Sequence, residues 1–75
     1  RNPVMSFQIL APMAGAIFRI DVAEGDAVNE ASVLLVMESM KMEIPVESMF
    51  DGKVTKIHCN VGDLVDQDQL LITLT

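Results

Sequence analysis

The chain has no tryptophan or tyrosine, and Phe7, Phe18 and Phe50 are its only aromatic residues. Its core must therefore be aliphatic, drawn from Val, Ile, Leu, Ala and six methionines. A single cysteine, Cys59, excludes an internal disulfide framework and suits a reducing compartment. Basic residues are scarce: Arg1, Arg19, Lys41, Lys53 and Lys56 stand against eleven acids, for a net charge of −6. Five scattered cations make no basic stripe, so nucleic acid is not the expected partner. No apolar run approaches the roughly 18 residues of a membrane-spanning helix, so direct membrane insertion is not expected either. With 75 residues the chain makes one small domain. That is too little to enclose both a core and a catalytic cleft of about 300 Å³. A composition that is 51% hydrophobic can nevertheless build a core. The expected setting is the cytoplasm, or an organelle matrix after processing. The chain opens on Arg1 rather than Met, as a domain cut from a longer polypeptide would.

What the sequence does contain is an internal repeat. Gly25-Asp26 with Val28 recurs as Gly62-Asp63 with Val65, an offset of 37 residues. At that offset Gly15 meets Gly52, Ile17 meets Val54, Arg19 meets Lys56 and Ile20 meets Ile57. Val33-Leu34-Leu35 meets Leu70-Leu71-Ile72 without a gap. Each half reads as short strands. Phe18-Ile20-Val22 alternates with Arg19 and Asp21, and Ile57-Cys59-Val61 alternates with His58 and Asn60. Val33 to Met37 and Leu70 to Leu74 are β-rich runs, and the Gly-Asp dipeptides are turns. No helical period is sustained, and Pro3, Pro12 and Pro45 interrupt any long helix. The expected fold is all-β: a flattened barrel or sandwich of two four-stranded antiparallel sheets related by a pseudo-two-fold axis. Residues 1–8 are expected to be a linker or N-terminal extension leading into the first strand, and 9–75 the domain. The repeat also predicts that the segment around residue 41 lies at the end opposite the chain termini.

That segment breaks a local rule. Strand character on both sides of Ser39-Met40-Lys41-Met42 implies a hairpin with its tip there. Tight hairpins favour Asn-Gly or Asp-Gly because both central residues need positive φ. Met and Lys in such a place cost about 1 kcal/mol or more, a conflict expected where function outranks stability. Lys41 is set apart from Lys53 and Lys56, which fall on strand faces. Met40 and Met42 flank it where apolar side chains are hard to bury.

Glu38-Ser39-Met40-Lys41-Met42-Glu43 resembles the attachment motif of biotinyl domains, which usually reads Ala-Met-Lys-Met. Ala11-Pro12-Met13-Ala14-Gly15, Glu24-Gly25-Asp26-Ala27-Val28 and Asp51-Gly52-Lys53-Val54 with Gly62-Asp63 resemble the same family. The likeness runs from Ile9 to Leu74. Ser39 departs from the commoner Ala, and the segment from Phe18 to Gly25 is too short for the thumb loop of some bacterial carrier subunits. The resemblance implies biotin covalently held on Lys41, carrying a carboxyl group between a biotin carboxylase site and a carboxyltransferase site. It implies a non-catalytic carrier within a biotin-dependent carboxylase, decarboxylase or transcarboxylase. A separate biotin protein ligase is implied as well, because a protonated lysine without a neighbouring base is a poor nucleophile. Met40 and Met42 are then recognition residues, and Glu38 and Glu43 are contacts for the ligase. Two other readings are a lipoyl carrier, against which the absence of Asp at position 40 argues, and an unmodified β-sandwich serving assembly. His58 and Cys59 fall on opposite faces if the alternation holds, so they make no metal site. Asp63, Asp66 and Asp68 lack calcium-loop spacing and read as a solvated turn.

Overall fold

The structure, a computed structural model, describes residues 5–75. Eight strands follow one another: β1 (Phe7–Leu10), β2 (Gly15–Ile20), β3 (Ala27–Val28), β4 (Val33–Ser39), β5 (Met42–Glu47), β6 (Gly52–Ile57), β7 (Leu64–Val65) and β8 (Leu70–Leu74). They form two four-stranded antiparallel sheets, ordered β1-β8-β6-β3 and β5-β4-β2-β7. Moving each strand by half the chain turns one order into the other, so the repeat is a structural two-fold. Part of the expected N-terminal extension, residues 1–4, lies outside the described residues. Of the rest, Phe7 and Gln8 already belong to β1 and pair with Leu74 and Thr73.

The symmetry reaches the hydrogen bonds. Gly25 (φ 97°) donates its N–H to the Val54 carbonyl at 2.7 Å, and Gly62 (φ 93°) donates to Ile17 at 2.8 Å. The Asp26 carboxylate accepts from Ala23 N–H at 2.9 Å, and Asp63 accepts from Asn60 at 2.8 Å. This is why the dipeptide is Gly-Asp: glycine supplies the left-handed φ, and the carboxylate satisfies a backbone donor the turn leaves free. Each such bond contributes about 1 kcal/mol.

The core is aliphatic, as the composition requires. Ile9, Ile17, Val28, Leu34, Leu35 and Met37 are buried with their counterparts Val46, Val54, Val65, Leu71, Ile72 and Leu74. Ala11 and Ser48 complete the symmetric set, and the buried Ser48 hydroxyl donates to the Phe50 carbonyl. Cys59 is also in the core. The strand phase differs from simple alternation in two places. Bulges between Ile17 and Arg19 and between Val54 and Lys56 shift the register. Consequently Ile17 is buried while Phe18 is partly exposed, and β6 ends at Ile57 so that Val61 is exposed. The alternation expected over Phe18–Val22 and Ile57–Val61 holds from Ile20 to Val22 and from Ile57 to Asn60 and fails at the outer ends, where Phe18 and Val61 are exposed.

The hairpin base sits beside the ends of the described chain. Ser48 N–H donates to the Ser32 carbonyl at 2.8 Å, just before β4. Nearby, Phe50 stacks on Phe7 with ring centroids 4.0 Å apart, and Lys53 and Thr75 exchange backbone bonds of 2.8 and 2.9 Å. From that end β4 runs for seven residues, roughly 20 Å, to the tip.

Candidate functional site

β4 and β5 pair without interruption from Val36↔Pro45 to Ser39↔Met42, leaving Met40 and Lys41 as a two-residue loop. Both have positive φ, 53° for Met40 and 64° for Lys41. That places them in a type I′ turn, whose twist matches the flanking strands. Neither is Gly, Asn or Asp, so the turn carries on the order of 1–2 kcal/mol of backbone strain per residue. The predicted strain is thus present in the backbone.

Met40 is 92% exposed and Met42 64%, whereas Met37, three residues earlier, is wholly buried. Lys41 is exposed and, among the described residues, its side chain makes no hydrogen bond or ion pair. Glu38 and Glu43 face each other directly across the ladder, one pair below the turn. Like charges in that position destabilise a sheet. Strain, exposed apolar side chains and opposed carboxylates therefore meet within six residues. All five residues singled out by sequence, Glu38, Met40, Lys41, Met42 and Glu43, lie together on this hairpin end.

Beneath the tip runs Gly15, at the start of β2. A Cβ placed there would lie 2.7 Å from the Glu38 carbonyl oxygen, 3.2 Å from Ser39 Cβ and 3.3 Å from Met37 Cε. In the sequence Gly15 stood out as the repeat partner of Gly52. Its place against the last two residues of β4 appears only in three dimensions.

The remaining candidates stay apart. The His58 ring is hydrogen-bonded to the Thr73 hydroxyl at 2.8 Å. Cys59 is buried, and its thiol is pushed up from the usual range by burial and then by the Asp63 charge. Among the described residues, no three His, Cys, Asp or Glu side chains converge as metal ligands would, and no helix is long and apolar enough to cross a membrane. A shallow groove of about 370 Å³ runs between the edge strands β1 and β5, lined by Ile9, Leu10, Pro45, Val46 and Phe50 among others. Sequence offered no signal for it.

An exposed, unpaired lysine at the apex of a rigid hairpin fits the attachment of a group that must travel. Comparison with known proteins identifies the family. Residues 7–74 match the family described as biotin-requiring enzymes. A biotinylated protein of Mycobacterium leprae is 34% identical over 71 residues, 95% of this chain and all of that protein. The human mitochondrial propionyl-CoA carboxylase alpha chain is 38% identical over 64 residues, 85% of this chain but 9% of its own. The biotin carboxyl carrier protein of Streptococcus mutans is 39% identical over 85% of this chain and 49% of its own. Among solved structures, the Kluyveromyces lactis urea carboxylase superposes with a TM-score of 0.91 at 27% identity, covering all of this chain and 7% of that one. The lipoyl domain of the Azotobacter vinelandii 2-oxoglutarate dehydrogenase complex gives 0.77 at 28% identity, over 91% and 94% of the two chains. The chain therefore belongs to the biotin-requiring enzyme family, as a biotin carrier domain of the kind found in carboxylases. It spans all of the mycobacterial relative but only about a tenth of the propionyl-CoA carboxylase chain.

Proposed function

We propose that Lys41 Nζ is the biotin attachment point and that the domain carries a carboxyl group between a biotin carboxylase site and a carboxyltransferase site. The observation that supports this most directly is the pairing of backbone strain with side-chain freedom. Met40 and Lys41 are held in a strained two-residue turn, and among the described residues the Lys41 side chain has no partner that would tie it down. Biotin supplies the carboxyl-carrying chemistry when attached. The protein fixes the root of the arm and leaves the arm loose. Lysine stem and biotin tail together reach on the order of 14 Å at about 1.5 Å per bond. The domain itself is non-catalytic in this reading, and among the described residues no side chain is hydrogen-bonded to Lys41 to take its proton.

Attachment then requires a biotin protein ligase. The exposed Met40 and Met42 give that ligase, or the carboxylase sites, apolar side chains that adapt to more than one pocket. Glu38 and Glu43 give the ligase a fixed pair of charges to read. The expected setting is the cytoplasm or an organelle matrix, where the carboxylase partners would reside. The carrier in this reading begins at Phe7 rather than Ile9, because Phe7 and Gln8 are already paired in β1.

The test is intact mass with peptide mapping of the protein purified from cells supplied with biotin. One biotinyl addition on the peptide containing Lys41 is expected. A lipoyl addition there, an addition on Lys53 or Lys56, or no addition would overturn the assignment.

A further inference from the structure

We propose that Gly15 is a positioning residue for the acceptor lysine: the missing side chain on β2 is the seat on which the Met40-Lys41 turn rests. This inference builds on the attachment of biotin at Lys41. Its argument is steric and does not depend on backbone freedom, since Gly15 has no positive φ. A Cβ at Gly15 would fall 2.7 Å from the Glu38 carbonyl oxygen, a distance real Cβ atoms do not adopt. The obstacle is backbone, which cannot swing aside as a side-chain end does. It would also crowd Ser39 Cβ, the residue directly before the turn. Any side chain at position 15 therefore pushes on the last residues of β4, and the turn they carry moves with them.

The two-fold provides an internal control. Gly52 is the counterpart of Gly15 and touches the same kind of partner, the Thr75 carbonyl oxygen, at 3.0 Å from its would-be Cβ. Its neighbours Leu74 and Thr75 belong to the end of the domain away from the Met40-Lys41 turn. A methyl group at position 52 disturbs β8 but leaves Lys41 where it was. Comparing the two glycines separates loss of fold from loss of position.

Position matters because the lysine is the nucleophile in the attachment step. Its nitrogen bonds to the biotin carboxyl carbon, activated by the ligase at the expense of ATP. The activating group leaves with its electron pair, and the nitrogen loses a proton. The step needs the two atoms within near-attack distance, and a displacement of 1 Å at the reacting group costs roughly 100-fold in rate.

The experiment is steady-state biotinylation of the purified chain by a biotin protein ligase, with thermal unfolding measured alongside. Gly15→Ala is expected to lower kcat/KM for biotinylation at least tenfold, with the loss mainly in kcat, under conditions where it is folded. Gly52→Ala is expected to keep the wild-type kcat and KM even though it loses stability. Ser39→Val meets the same contact from the other side and covers the case in which Gly15→Ala does not fold. It is expected to show the kcat defect, while Ser39→Ala is not. Wild-type kinetics for Gly15→Ala or for Ser39→Val would overturn the proposal. So would equal slowing in Gly15→Ala and Gly52→Ala that follows their lost stability. If the wild-type protein takes up biotin elsewhere than Lys41, the attachment reading itself fails, which is a distinct result.

Discussion

Lys41 and Cys59 mark the two extremes available to a reactive side chain in this domain. Lys41 is exposed and unpaired among the described residues, so replacing it should cost the fold almost nothing. Lys41→Ala is expected to abolish biotin incorporation, seen by streptavidin blotting, while shifting stability by no more than about 0.5 kcal/mol. Lys53→Ala and Lys56→Ala are expected to keep full incorporation. Cys59 is the reverse case, a thiol held protonated by burial and by Asp63. Its folded-state pKa lies above the unfolded one, so its contribution to stability is complete below the ordinary thiol range. That contribution is lost as pH rises through about 9 and beyond, because the unfolded chain then gains from ionising the thiol. Denaturant unfolding of Cys59→Ala is expected to show a smaller decline above pH 9 than the wild type. A thiol reagent at neutral pH is expected to label Cys59 only as fast as the domain opens. The separation of His58 from Cys59 was legible in sequence because the in-and-out alternation from Ile57 to Asn60 holds even past the last strand residue. His58 is exposed and Cys59 buried just beyond the end of β6, where the chain leaves the strand.

At the scale of the element, the β4–β5 hairpin is where stability yields to function. Met40 is 92% exposed, so its side chain contributes little packing while its φ of 53° is unfavourable for it. Met40→Gly is therefore expected to stabilise the domain by up to about 1 kcal/mol, less the entropy glycine adds to the unfolded chain. In a domain of this size that is a rise in Tm of a few degrees. If Met40 serves recognition, the same change is expected to slow biotinylation or later carboxylation of the biotinylated protein. A Tm that falls would show Met40 to be structural. Met42→Thr is expected to leave Tm nearly unchanged and to weaken the same encounters. The hairpin was legible because two apolar runs of strand character flank a short segment with no room for anything but a turn. Its strain was legible because Met and Lys stand where Asn-Gly is usual. The bulges at Ile17 and Val54 were not, since nothing in their side chains distinguishes a strand that slips by one residue from one that does not.

The whole molecule is two copies of one design, and the 37-residue offset in the sequence survives as matching sheets, matching bulges and matching turns. It even pairs two of the four non-glycine left-handed residues among those described, Ala31 (φ 72°) with Asp68 (φ 68°), leaving Met40 and Lys41 without counterparts of that kind. What the repeat could not show is how the halves face each other: the groove between β1 and β5 and the Phe7–Phe50 stack both depend on contacts across the sheets. The symmetry makes a quantitative demand on Gly25 and Gly62. Each has φ above 90°, and a Cβ at either would meet nothing within 4 Å. Substitution there is therefore penalised by backbone conformation alone, with no steric neighbour to make the two sites differ. Valine is the sharpest probe, because branching at Cβ makes positive φ especially unfavourable. Gly25→Val and Gly62→Val are each expected to cost more than about 1 kcal/mol, and to within a few tenths the same amount. Urea unfolding of both variants beside the wild type measures this, provided the slope m is unchanged so that the midpoints report stability. The two turns lie more than a hairpin's length apart in sequence and share no partner, so the double variant should lose the sum. A large loss at one glycine and none at the other would mean that the halves share a sequence pattern without sharing its energetics.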